Sequence, residues 1–163
     1  ERPQWDTVLI GDGPERETLE SRVPEVLRGR FRWLGFQSDA RTIGAVYRCC
    51  DILTLQSDYE AWGLVVNEAM FYGLAVATSN IVGAAAHLIR EGEPADAANG
   101  RTFPRGNVEA MASALRDLSD PARIDAFKSN SAPPLEKYRR EADPVRGVSS
   151  ALVSIGLLSA TTG

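Results

Sequence analysis

Two glutamates separated by seven residues, Glu60 and Glu68, are the side chains of this sequence best placed to do chemistry. Gly63 lies between them, and glycine allows the backbone to approach a ligand closely. If a helix begins here, the N–H groups of Trp62, Gly63 and Leu64 have no acceptor within the helix. Such N–H groups, at the positive end of the helix dipole, form a ready binding site for an anion.

A carboxylate on each side of an anion site can accept hydrogen bonds from hydroxyl groups. The pattern therefore favours a ligand with a phosphate group flanked by two sugars, such as a nucleoside-diphosphate sugar. The alternative is that Glu60 is simply solvated and Glu68 lies on an exposed helix face. Apolar neighbours of Glu68 argue against this alternative, because they predict a mostly buried helix in which an unpaired carboxylate is costly. These neighbours are Val65, Val66, Ala69 and Met70.

Short apolar segments that alternate with helical patterns must position these residues. The predicted strands are Thr7–Gly11, Phe31–Gly35, Asp51–Leu55, Leu74–Thr78 and Arg101–Phe103. Helices are predicted after Pro14, after a cap at Ser38 or Asp39, over Gly63–Phe71, over Gly83–Ile89, after a cap at Asn107, and over Pro121–Lys128 and Pro144–Leu157. This order predicts an α/β fold with a doubly wound parallel sheet, whose ligands bind beyond the carboxyl ends of the strands.

Composition narrows the class of protein. The chain has 163 residues and a formal net charge of −4, with 44% hydrophobic and 25% charged residues. We expect a folded domain over residues 1–130 and a helical tail over residues 131–163. Scattered basic residues argue against nucleic-acid binding, and no apolar segment reaches the length of about 18 residues that a membrane span needs.

Neither a metal site nor a dinucleotide site is predicted. The two cysteines, Cys49 and Cys50, are adjacent, and His87 is the only histidine, so the spacing of a zinc site is missing. Such cysteines are typical of reduced thiols in a cytoplasmic protein. The turn at Gly11 and Gly13 does not match a dinucleotide fingerprint, because Arg16 stands where its third glycine is required.

An ordered series of short motifs resembles the donor-binding domain of the family 4 (group 1) retaining glycosyltransferases, which have the GT-B architecture. The series comprises Ile10–Pro14, Trp33–Gly35, Cys50–Leu53, Ser57, Glu60 with Glu68–Met70, Gly73–Leu74, Val76–Ser79, Val82–Gly83 and Asn99–Phe103. The resemblance covers roughly residues 7 to 120 and implies the Rossmann-like C-terminal half of such an enzyme, without its first βα unit.

The resemblance also implies a role for each matching residue. Glu60 would be the catalytic residue and would hydrogen-bond the transferred sugar, while Glu68 would bind the ribose. The backbone of Trp62, Gly63 and Leu64 would contact the sugar and the diphosphate. The other two elements implied are the turn at Gly83, which would line the cleft, and the loop of Phe36, Gln37, Ser38 and Asp39, which would flank the nucleobase.

For the whole protein, the resemblance implies transfer of a hexose from a UDP- or GDP-sugar to a glycan or lipid-linked acceptor, in cell-surface polysaccharide synthesis. No cofactor or metal is implied. The acceptor-binding N-terminal domain and the arginine and lysine that neutralise the diphosphate would precede this chain, so the chain alone would be inactive. The whole protein would be cytoplasmic, with possible association at the cytoplasmic face of a membrane. An epimerase-type enzyme and a vestigial binding module on the same fold are the alternatives.

Overall fold

Strands and helices alternate along the chain, as the apolar segments predict. In the computed structural model, residues 4–92 and 97–157 are described. The last six residues of the predicted helical tail lie outside this range. The chain divides into two compact units, Glu1–Cys49 and Cys50–Gly163. The predicted boundary at residue 130 stays a prediction.

The first unit contains two parallel strands. Its elements are β1 (Thr7–Leu9), α1 (Arg16–Arg22), a 3₁₀ helix (Glu25–Arg30), β2 (Phe31–Trp33) and α2 (Ala40–Cys49). Strand β1 pairs with β2 in a register that places Thr7 opposite Phe31. Beyond the strands, the Gly11 N–H donates to the Gly35 carbonyl at 2.9 Å, which holds the two carboxyl ends together.

The prediction that the first strand is buried was wrong. Val8 is 36% exposed and Ile10 is 42% exposed. The physical reason is that β1 pairs with a single strand, β2, in the described part of the chain. A two-stranded sheet has too few neighbours to cover both faces of an apolar strand.

The second unit carries the remaining elements around a three-stranded parallel sheet with the order β3-β4-β5. They are β3 (Ile52–Leu55), α3 (Leu64–Phe71), β4 (Ala75–Ser79), α4 (Gly83–Leu88), β5 (Gly100–Phe103), α5 (Val108–Leu118), α6 (Ile124–Ser129), α7 (Ala132–Glu141) and α8 (Pro144–Ser154). All five residues of β4 are buried, as expected for the central strand of a sheet covered on both faces.

Helices pack on both faces of this sheet. Successive side chains of a strand point to opposite faces, and β4 accordingly contributes Val76 to one apolar cluster and Ala75 and Ala77 to the other. Helices α3, α4 and α7 supply residues to the first cluster, and α5 and α6 supply residues to the second. The predicted α/β arrangement is confirmed in this unit.

Helix α7 lies within the helical tail predicted over residues 131–163, although no separate bounds were predicted for it. Its two consecutive prolines occupy the first turn of the helix, where a missing N–H group costs nothing. Pro134 and Leu135 are buried. The Ser131 hydroxyl, fully buried just before the helix, donates to the Leu74 carbonyl at 2.6 Å. These contacts fix the start of α7 to the core of the second unit.

Strand β5 forms an outer edge of the three-stranded sheet, and a loop residue covers part of it. The Glu91 carboxylate accepts the Thr102 N–H, and it also accepts the Thr102 hydroxyl at 3.0 Å. The Arg101 guanidinium donates to the Glu91 carbonyl at 2.8 Å, which fixes the position of this residue. A negatively charged side chain therefore lies along the edge of β5.

Candidate functional site

The loop that follows β3 carries the first predicted glutamate. Glu60 is half-buried, and its Oε1 atom accepts a hydrogen bond from the Trp62 N–H at 3.2 Å. The carboxylate is thus folded back over its own loop, towards the start of α3. Of the three N–H groups that the sequence places at the anion site, the one from Trp62 already has this acceptor.

Gly63 is the residue that turns the loop into α3. Its φ angle of +90° lies in the left-handed region, which other residues rarely adopt. A Cβ atom at this position would lie 2.9 Å from Val82 Cγ1 and 3.2 Å from Leu55 Cδ2, so space also requires glycine. The same Cβ atom would lie 3.4 Å from Glu60 Cγ, so the glutamate stem runs beside the start of the helix.

The first turn of α3 presents N–H groups near this carboxylate. The first hydrogen bond of the helix runs from the Val66 N–H to the Gly63 carbonyl at 2.9 Å. The N–H groups of Gly63 and Leu64 precede it and have no acceptor inside the helix. Leu64 is 69% exposed, so the helix begins at the surface. Gly63 itself is buried, so the exposed Leu64 marks the side from which an anion can approach the positive end of the helix dipole.

Gly83 presses directly against the glutamate loop. A Cβ atom on Gly83 would lie 2.1 Å from the Ala61 carbonyl oxygen and 3.3 Å from Trp62 Cα. The Ala84 N–H donates to the Trp62 carbonyl at 2.8 Å. The start of α4 and the loop after β3 are therefore in backbone contact, and the predicted role of Gly83 in lining the cleft stays a prediction.

Trp62 is held by its side chain as well as by its backbone. The indole Nε1–H donates to Asn67 Oδ1 at 2.8 Å. The indole ring stacks on Tyr138 of α7 with 5.1 Å between ring centroids and an interplanar angle of 27°. The His87 ring of α4 lies 5.7 Å from it. Asn67 and Tyr138 were not predicted to lie at the site, because no local pattern connects Tyr138 with a loop 76 residues earlier.

Further hydrogen bonds join the loops after all three strands of the second unit. The Ser79 hydroxyl donates to the Ser57 carbonyl at 2.7 Å. The Arg105 guanidinium donates to the Asp58 carbonyl at 3.0 Å. The Arg105 N–H donates to Asn80 Oδ1 at 3.1 Å. The carboxyl ends of these strands thus form one connected surface around the glutamate loop, where ligands of parallel α/β folds bind.

Glu68 lies on α3, and the prediction that this helix is mostly buried was wrong. Val65 is 36% exposed, and Glu68 is also exposed. Burial in α3 is confined to Val66, Ala69 and Met70, which face the sheet. The reason is that an eight-residue helix packed on one side of a sheet covers only one of its own faces. The cost of burial therefore gives no argument for a ligand at Glu68.

The predicted nucleobase loop belongs to the first unit, whereas the glutamates and Gly83 belong to the second. Phe36 is 76% exposed, and Ser38 is exposed as well. The Gln37 amide donates to the Leu34 carbonyl at 2.6 Å. In the second unit, Glu60, Gly63 and Gly83 lie together at the start of α3, whereas the predicted nucleobase loop is part of the first unit.

Asp39, the last residue of that loop, caps helix α2. Its Oδ2 atom accepts the Thr42 hydroxyl at 2.7 Å and the Thr42 N–H at 2.8 Å. The Thr42 hydroxyl and N–H bonds lower the pKa of the Asp39 carboxyl below its ordinary value. The predicted cap at this position is confirmed.

In residues 4–92 and 97–157, no group of three or more histidine, cysteine, aspartate or glutamate side chains is arranged to hold a metal ion. Over the same range, no helix combines the length and the apolar character that crossing a membrane requires. The site presents carboxylates and backbone N–H groups, which can bind hydroxyls and an anion.

Known proteins resemble this chain in sequence and in fold. A family model described as "Glycosyl transferases group 1" matches residues 1–131. The chain is 33% identical over 119 residues to sulfoquinovosyl transferase SQD2 of Arabidopsis thaliana. That alignment covers 71% of this chain but only 21% of the relative, so the chain spans a small part of that protein.

Two solved structures show the same fold. The Alr3699/HepE protein of Anabaena in complex with UDP has a TM-score of 0.71 and 20% identity, covering 93% of this chain and 42% of that chain. The C-terminal domain of the glycosyl transferase group 1 family protein LpcC from Francisella tularensis has a TM-score of 0.70 and 26% identity, covering 84% of this chain and 71% of that chain. The predicted Rossmann-like fold of the GT-B architecture is confirmed, and the chain belongs to the group 1 glycosyl transferases.

Proposed function

We propose that this chain is the nucleotide-sugar (donor) binding domain of a retaining glycosyltransferase. The whole protein would transfer a hexose from a UDP- or GDP-sugar to a glycan or lipid-linked acceptor, most simply in cell-surface polysaccharide synthesis. Membership of the glycosyl transferase family supports the reaction class. The UDP named in the complex of a protein with the same fold supports a nucleoside diphosphate as part of the ligand.

One observation carries the proposal: Gly63, in the left-handed conformation, places the first turn of α3 beside the Glu60 carboxylate. The diphosphate would accept hydrogen bonds from the N–H groups of Gly63 and Leu64, at the positive end of the helix. A sugar linked to that diphosphate would then lie within reach of Glu60. Negative charge that develops on the departing diphosphate would be stabilised by the same fixed donors.

Glu60 can perform this role without giving up its present contact. An ionised carboxylate has about four lone-pair positions on its two oxygens. Oε1 accepts the Trp62 N–H at 3.2 Å. Oε2 can accept a sugar hydroxyl at the same time. Trp62 would thus contribute by orienting Glu60, in addition to the backbone contact with the sugar that the resemblance implies.

The remaining roles follow the resemblance. Glu68, exposed on α3, would bind the ribose hydroxyls. Gly83 would line the cleft, because a larger residue there would push the glutamate loop away. In the first unit, the base would contact the loop that carries the exposed Phe36. No metal or cofactor is part of the proposal.

A thermal-shift screen of the whole protein against UDP-glucose, UDP-galactose, UDP-N-acetylglucosamine and GDP-mannose tests the proposal. A ligand at 100 times its dissociation constant stabilises the protein by about 2.7 kcal/mol, which is easily measured. Glu60→Gln should then lower turnover at least 10²-fold with little change in melting temperature. Glu68→Gln should weaken binding of the same nucleotide sugar roughly 10- to 150-fold, through loss of charge-assisted hydrogen bonds worth about 1.5–3 kcal/mol.

Glu136→Gln is the matched control, because Glu136 is an exposed glutamate on α7. It should change neither turnover nor the affinity for the nucleotide sugar. Turnover of Glu60→Gln within twofold of the wild-type value would contradict the role of Glu60.

Analysis of the product distinguishes transfer with retention from an epimerised donor, and a screen without any shift would indicate a vestigial module. Residues 1–163 alone should show no transfer, since the acceptor must be positioned against the donor, an effect that is worth about 7–11 kcal/mol.

A further inference from the structure

The aromatic cluster of Trp62, His87 and Tyr138 connects the glutamate loop to a distant helix. The Trp62 and Tyr138 rings stack at 5.1 Å, and the His87 ring lies 5.7 Å from Trp62 and 6.2 Å from Tyr138. Stacked pairs of this kind fix the relative position of two rings. Each ring belongs to a different element, so the cluster ties the loop after β3 to α4 and α7.

A shift of the Trp62 ring would reach Glu60 through the Trp62 backbone and a single hydrogen bond. The Trp62 N–H donates to Glu60 Oε1 at 3.2 Å, and the Trp62 carbonyl accepts the Ala84 N–H at 2.8 Å. Gly83 leaves no free space behind the Ala61 carbonyl. The loop is therefore held on its backbone side by α4, and on its side-chain side by Asn67 and the stacked Tyr138 ring.

Helix α7 is anchored by contacts additional to the Tyr138–Trp62 stack, in an apolar cluster against which Trp62 also packs. Leu135 is 4% exposed and packs in the apolar cluster on one face of the sheet. The Ser131 hydroxyl donates to the Leu74 carbonyl at 2.6 Å and to the Phe127 carbonyl at 3.3 Å. Tyr138 thus projects from a fixed helix onto a loop, so support runs from the helix to the loop.

We infer that Tyr138 is a positioning residue for the transfer reaction: by stacking on Trp62, it holds the Glu60 carboxylate where the donor sugar must lie. The inference rests on the proposed role of Glu60 and deepens it. It assigns a function to a helix that the sequence analysis places in a C-terminal tail. The ring of Tyr138 is the required feature, because the contact with Trp62 is made by ring faces.

The test compares Tyr138→Leu with Tyr138→Phe in the whole protein. Leucine keeps apolar volume so that the core of α7 stays packed, but it lacks the planar ring; phenylalanine keeps the ring. Release of nucleoside diphosphate from the screened donor that is turned over gives kcat and KM, and titration with UDP and GDP gives nucleotide affinity. Met111→Ala, a half-buried change on the opposite face of the sheet, controls for general loosening.

We expect Tyr138→Leu to lower kcat about 10- to 100-fold, because displacement of a catalytic group by about 1 Å can cost 10²-fold in rate. Nucleotide affinity should stay within twofold. Tyr138→Phe should keep at least half of the wild-type kcat, and so should Met111→Ala.

Two results would overturn the inference alone: wild-type kcat in Tyr138→Leu while Glu60→Gln is inactive, or equal losses in Tyr138→Leu and Met111→Ala. Wild-type kcat in Glu60→Gln would instead overturn the proposed function, and the inference with it.

Discussion

Gly83→Ala is the substitution whose effect the structure defines most sharply. The added Cβ atom would lie 2.1 Å from the Ala61 carbonyl oxygen, whereas ordinary contact begins at 3.4 Å. The two atoms must therefore separate by about 1.3 Å. The obstacle is backbone and not the end of a flexible side chain, so either the loop that carries Glu60 or the start of α4 must move.

The size of the effect follows from this displacement. Overpacking of this kind costs roughly 1–3 kcal/mol. In a chain of this size, 1 kcal/mol shifts the melting temperature by about 2–4 °C, so we expect Gly83→Ala to melt about 2–12 °C lower. A shift of about 1 Å at a catalytic group can cost 10²-fold in rate, so turnover should fall by about that factor in the whole protein.

Differential scanning fluorimetry and the rate of nucleotide release measure the two effects. Gly147→Ala is the matched control, because its Cβ would meet nothing within 4 Å and its backbone is not left-handed. That change in α8 should be neutral or stabilising by about 0.5–1 kcal/mol, as expected for alanine in a helix. If Gly83→Ala melts with the control and keeps full turnover, the tight packing of α4 on the loop does not position Glu60.

Ser131→Ala should lower the free energy of unfolding by about 1–3 kcal/mol in chemical denaturation, because a buried carbonyl loses its donor. Asn107→Ala should cost roughly 1 kcal/mol, since it caps the packed helix α5. Asp143→Ala, at the cap of α8, should increase amide exchange in that helix without changing the melting temperature, because α8 buries none of its residues. The lowered pKa of Asp39 means that its charged form stabilises the first turn of α2 above the unfolded pKa, and that this contribution is lost as pH falls through the folded pKa. The protection of the Thr42 amide, taken relative to its intrinsic exchange rate at each pH, should therefore fall in acid in the wild-type protein and not in Asp39→Asn.

A control variant or a contradicting outcome accompanies each of these predictions. Ser129→Ala removes an exposed hydroxyl and should change stability by less than about 0.5 kcal/mol. An equal effect of Ser131→Ala would show that the buried bond contributes nothing. Equal melting of the Asn107 and Asp143 variants would contradict the argument from packing. Protection of the Thr42 amide that stays constant as pH falls in the wild-type protein would contradict the role assigned to the Asp39 charge.

Local signals predicted local structure well. The caps at Asp39 and Asn107 are confirmed, since each side chain accepts an N–H from a residue three positions later. Such contacts depend on neighbouring residues only, so the sequence contains the necessary information. Gly63 was also identified correctly as the residue that opens α3, because glycine between a strand and a helix marks a demanding turn.

Long-range packing was less predictable. The exposure of Glu68 depends on which face of α3 meets the sheet, and the apolar character of the whole helix hides that choice. The exposure of Val8 depends on the number of strands beside β1. The stack of Trp62 on Tyr138 joins residues that are distant in sequence, and the prolines before Tyr138 obscure its helix.

Glu91 has a consequence for the behaviour of the protein at high concentration. An open strand edge is a template on which further chains add strands, and this addition begins ordered aggregation. At the β5 edge, an incoming strand would have to displace the Glu91 carboxylate from the Thr102 N–H and approach its negative charge. Along the described part of this edge, resistance to aggregation therefore comes from the Glu91 carboxylate, together with the Arg101 guanidinium that donates to the Gly100 carbonyl at 2.8 Å.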